Sequence, residues 1–71
     1  MSKFIFSDET DIALIEDLVD ALKRRGFDPK LRRGYVLTIE DNLDAYDVKI
    51  TLDVIDNMVG LDFVDTLIIN R

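Results

Sequence analysis

At 71 residues, with fifteen acidic and nine basic side chains, the chain has the length of one small domain; at 48% apolar residues it is too hydrophobic to be disordered. It has no cysteine and no histidine, which excludes disulfide staples, thiolate nucleophiles, imidazole proton transfer and the usual zinc, copper and haem ligand sets. No apolar run approaches the roughly 20 residues of a membrane-crossing helix, and Met1-Ser2-Lys3-Phe4 does not begin an apolar leader, so a cytoplasmic protein is expected.

Lys3-Phe4-Ile5-Phe6 reads as a short strand that ends at Ser7, a good helix N-cap. Asp8, Glu9 and Asp11 place negative charge where a helix dipole favours it. Ile12, Ile15, Leu18, Val19 and Leu22 then recur at helical spacing, with Ala13, Glu16, Asp17, Asp20 and Arg24 on the other side. Lys23, Arg24 and Arg25 complement the C-terminal dipole, and Gly26 stands where a left-handed cap belongs, so the spacing predicts a helix over about 8–25.

Phe27-Asp28-Pro29-Lys30 reads as a loop, with Phe27 tucked under the helix end. Tyr35-Val36-Leu37-Thr38-Ile39 is rich in β-formers and reads as a strand, and residues 40–45 are polar enough to turn. From Tyr46 two periods compete. Tyr46, Val48, Ile50, Leu52 and Val54 alternate with polar residues as a strand would, whereas Val48, Thr51, Leu52, Ile55, Met58 and Val59 fit one helical face. The β-branched content favours a strand here, followed by a short helix over about 53–59 that stops at Gly60 and a last strand over 64–69.

The sum is a single α+β domain over 1–71. It is a two-layer sandwich in β-α-β-β-α-β, ferredoxin-like order with a short second helix. The alternative, one helix over about 47–59, gives β-α-β-α-β and a sheet one strand poorer. In the first arrangement Lys49, Thr51, Ile5 and Val36 share the sheet face turned away from the helices.

The charge is uneven. Residues 1–22 sum to −5 and residues 34–71 to −6, whereas 23–33 sum to +5 through Lys23, Arg24, Arg25, Lys30, Arg32 and Arg33 against Asp28. A basic corner therefore interrupts an acidic body whose surface includes Asp41, Asp44, Asp47, Asp53 and Asp56. The stretch Asp41–Asp47 is a poor calcium loop, because Leu43, Ala45 and Tyr46 stand where oxygen ligands and a glycine belong. Isolated glycines make no phosphate-cradling loop. With no nucleophile–base pair in sight, the chain reads as a non-enzyme that needs no metal or cofactor.

The first functional expectation is a protein–protein interaction or regulatory module that self-associates as a homodimer, relieving the marginal core of so small a domain. The alternative is an acidic phage-type inhibitor that mimics DNA, although a net charge of −6 is modest for that role. Nucleic-acid contact through residues 23–33 ranks lower, because a sequence pI of about 4.3 runs against the usual basic footprint.

Overall fold

The structure, a computed structural model, describes residues 1–69. Its elements in chain order are β1 (Ser2–Phe6), α1 (Ile12–Arg24), β2 (Pro29–Arg32), β3 (Val36–Ile39), α2 (Ala45–Met58), a 3-10 turn at Leu61–Phe63 and β4 (Val64–Ile68). The strands form one sheet in the order β2-β3-β1-β4, and every neighbouring pair is antiparallel.

The first helix begins later than its charge pattern suggests. Asp11, not Ser7, is the N-cap, and its Oδ1 accepts the Ala13 N–H at 2.9 Å. Ser7 caps the turn before it by accepting the Glu9 N–H at 3.2 Å. Ile15, Leu18 and Leu22 are buried, while Ile12 lies at the first helical position and is exposed. At the other end Gly26 has φ 94°. Its N–H donates to the Lys23 carbonyl, and the Phe27 N–H reaches back to the Leu22 carbonyl at 3.1 Å. These two bonds with an apolar residue after the glycine form a Schellman cap, and Phe27 packs against the core as expected.

Residues 29–32 are a strand rather than the end of a loop. Lys30 pairs with Thr38, Leu31 with Leu37 and Arg32 with Val36. The hairpin turns at Arg33 and Gly34, both at positive φ (58° and 80°), with the Tyr35 N–H donating to the Arg32 carbonyl. Two successive positive φ values are the signature of the primed turns that match the twist of paired strands.

The largest correction concerns residues 46–54, which are helical. α2 runs for 14 residues, so the second helix is not short and Lys49 and Thr51 are not on the sheet. Asp44 caps it, its Oδ1 accepting the Asp47 N–H at 2.8 Å. Thr51, Val54 and Ile55 form its buried stripe. The single-helix alternative therefore located this element correctly but lacked β2, whereas the six-element order was reached with the hairpin drawn in the wrong place.

Phe4, Phe6, Leu37 and Ile39 from the sheet meet Ile15, Leu18 and Leu22 from α1 and Val54 and Ile55 from α2, with Leu43 closing one end. β4 contributes no fully buried side chain.

Candidate interaction surfaces

Strand register sorts the sheet residues onto two faces. Leu31, Leu37, Phe4 and Leu67 lie in one cross-strand row on the helix side. The rows on either side point the other way. One is Lys30–Thr38–Lys3–Ile68, and the next is Arg32–Val36–Ile5–Thr66. None of these eight positions is acidic. Ile5 and Val36 do lie on the face turned from the helices, as expected, but their neighbours are cations.

The basic segment is thus divided by the fold. Lys23 and Arg24 occupy the last turn of α1 and Arg25 its C-cap, while Lys30 and Arg32 project from the uncovered side of β2. A surface hollow of about 450 Å³ at the β2 edge is lined by Lys23, Lys30 and Arg32 together with Asp28, Val19 and Leu31. A second, of about 480 Å³, lies on the uncovered face and is lined by Lys3, Ile5, Arg32, Arg33, Tyr35 and Val36. Lys3 is the member that sequence reasoning missed. Alternation along Lys3–Phe6 carries the signal that Lys3 points away from the core; that it stands across from β3 depends on pairing. Among the described residues there is one ion pair, Lys30 with Asp28 at 3.7 Å.

The acidic residues lie elsewhere. Asp44, Asp47, Asp53 and Asp56 belong to α2 or its cap, and Asp41 to the loop before it. Asp44 is committed to its cap, and Asp56 accepts the Leu61 N–H at 3.3 Å. Among the described residues, no three acidic side chains come together in a way that could hold a metal ion. The polarity read along the chain becomes, in space, a sheet face carrying cations backed by helices carrying carboxylates.

The two sheet edges differ. β2 carries Pro29, which lacks an N–H, and two cations, both devices that discourage strand addition. β4 carries Asp65 at a register irregularity, but among the described residues no strand pairs with the outer edge of Thr66, Leu67 and Ile68 beyond it. Leu67 and Ile68, on opposite faces, are 46% and 50% exposed, and Leu61 and Phe63 just before the strand are 40% and 41% exposed. These four make an apolar margin along one side of the molecule.

Comparison of the chain with protein-family models, curated proteins and solved structures found no match.

Proposed function

We propose that the chain is a non-catalytic protein-interaction module that self-associates through the edge of β4, within a fold read as ferredoxin-like from its β-α-β-β-α-β order and β2-β3-β1-β4 sheet. The observation that carries it is the asymmetry of the edges: one is guarded by proline and cations, the other presents unpaired backbone beside exposed leucine and isoleucine. A two-fold axis beside Leu67 sets Leu67 against its own copy and Ile68 against Thr66 of the other. It extends the antiparallel sheet to eight strands and keeps the two Asp65 carboxylates several residues apart. Face-to-face pairing of sheets is disfavoured, because it would bring like charges from Lys3, Arg32 and Arg33 together.

The alternative, an acidic decoy for a nucleic-acid-binding protein, draws on the carboxylates of the helix layer. Its support is weaker, since Asp44 and Asp56 are engaged with backbone and Lys49 stands among them.

Sedimentation equilibrium over a range of concentrations tests the reading. The expected species at high concentration has twice the 8.2 kDa chain mass, and Leu67→Asp returns it to monomer with an unchanged far-UV spectrum. A chain that stays monomeric throughout would sink the proposal. Dissociation by Arg32→Glu but not by Leu67→Asp would instead place the contact on the part of the sheet that carries Arg32 and away from β4.

A further inference from the structure

The uncovered sheet face combines features that the proposed self-association does not use. Lys3 and Lys30 flank Thr38 across three strands, which places their backbones about 10 Å apart, and Arg32 stands two residues along β2 from Lys30, about 7 Å away. Arg33 adds a fourth cation from the turn, and Tyr35, 38% exposed, lies beside it at the rim of the same hollow. The floor between them is apolar, formed by Ile5 and Val36. Lys30 shares its charge with Asp28, which leaves Lys3, Arg32 and Arg33 without an anionic partner among the described residues.

Two further points bear on what such a face receives. Arg33 holds φ 58°, a conformation in which glycine or asparagine is the economical choice, yet a guanidinium is carried there and lines the hollow. The chain as a whole is acidic, but eight of its fifteen carboxylates lie on the helices or their N-caps, in a body whose shorter extents are 22 and 20 Å. At physiological ionic strength the screening length is about 8 Å, so a ligand at the sheet experiences the local cations more than the distant net charge.

We propose that this face binds a single-stranded nucleic acid, with phosphates at Lys3, Arg32 and Arg33 and one base stacked on Tyr35. Charge complementarity calls for a polyanion; a flat aromatic beside an apolar floor favours one that carries bases over an acidic polypeptide. A duplex is not the expected ligand, since among the described residues this face is formed by the sheet itself, with no further helix or strand beyond it to enter a groove. The inference stands independently of self-association, because every residue it uses belongs to one copy.

Fluorescence anisotropy with labelled oligo-dT and oligo-U of about 15 nucleotides tests it, with polyglutamate of similar length as the competing polyanion. Three phosphate contacts imply a loss of affinity of about twentyfold between roughly 50 and 200 mM salt. The double variant Lys3→Gln/Arg32→Gln should bind more weakly and reduce that loss to about threefold. Tyr35→Leu should weaken binding about fivefold or more with the salt dependence unchanged. The charge-matched control Arg24→Gln/Arg25→Gln, at the helix end, should bind like the parent, as should monomeric Leu67→Asp. The proposal is overturned if no oligonucleotide binds at low salt. It is equally overturned if polyglutamate competes as well as the oligonucleotide, which would identify an acidic protein segment as the ligand, or if the helix-end control loses as much affinity as the sheet variant.

Discussion

Thr51 sits in the buried stripe of α2 with no solvent exposure, and its Oγ1 has no hydrogen-bond partner. Burying a hydroxyl without a partner costs about 1–3 kcal/mol in proteins, and Thr→Val replaces that hydroxyl with a methyl of similar size. Threonine and valine have nearly the same helix propensity, so the backbone contributes little to the difference. Thr51→Val is therefore expected to stabilise the fold by about 1–2 kcal/mol. In a domain of this length each kcal/mol moves the midpoint by about 4–8 °C, so the expected rise in Tm is about 4–16 °C. Thermal and urea unfolding followed by far-UV circular dichroism would measure it. Protein concentration must be held constant, because the proposed self-association would make Tm depend on it, and the urea m-value should not change. Thr51→Ser, which keeps the hydroxyl and removes the methyl, should destabilise. If Thr51→Val is instead less stable than the parent by more than about 0.5 kcal/mol, the reasoning fails. The hydroxyl would then have a partner, the natural one being the Asp47 carbonyl one turn earlier.

Three other substitutions follow from the same structure. Asp44→Ala removes the α2 cap and should cost about 1 kcal/mol in urea unfolding, whereas Asp41→Ala in the preceding loop should be nearly neutral. Ile55→Ala empties a fully buried position and should cost about 2–5 kcal/mol; a domain of this length commonly has only about 4–11 kcal/mol in total, so a large fall in the urea midpoint is expected by circular dichroism. Arg33→Gly should leave stability unchanged or raise it by up to about 1 kcal/mol by relieving the left-handed backbone, while weakening oligonucleotide binding. Loss of stability together with retained binding would show that the arginine is there for the fold.

The elements that could be read from the sequence were those whose signals are local. The α1 core stripe and its glycine cap need only their own residues, and the Schellman bonds at Gly26 and Phe27 follow from them. Strand β2 was not legible, because Pro29-Lys30-Leu31-Arg32 has no β-branched or aromatic residue and gains its conformation from pairing with β3. Its turn is equally silent, since Arg33-Gly34 is a weaker hairpin signal than Asn-Gly. For residues 46–54 the strand and helix periods overlap, and propensity misled. The deciding signal was Asp44 followed three residues later by Asp47, an N-cap pattern divided between a stretch read as a turn and one read as a strand. The basic corner was visible as composition. Its division between a helix end and a sheet face was not, nor was the addition of Lys3, because both depend on which strands become neighbours.

Among the described residues, all ten buried apolar side chains lie between Phe4 and Ile55. The buried core is therefore drawn from residues that precede β4, to which β4 adds the partly buried Val64, and β4 is fastened mainly by its ladder with β1. Such a strand can detach as its own cooperative unit while the remainder keeps its packing. Amide hydrogens of Thr66–Ile68 should exchange orders of magnitude faster than those of Ile15 or Ile55. During synthesis, both helices and three strands can assemble first, leaving one flank of β1 briefly vacant. That vacancy would accept β4 from another copy as readily as from its own, and such strand exchange would give an assembly distinct from one that pairs two β4 edges.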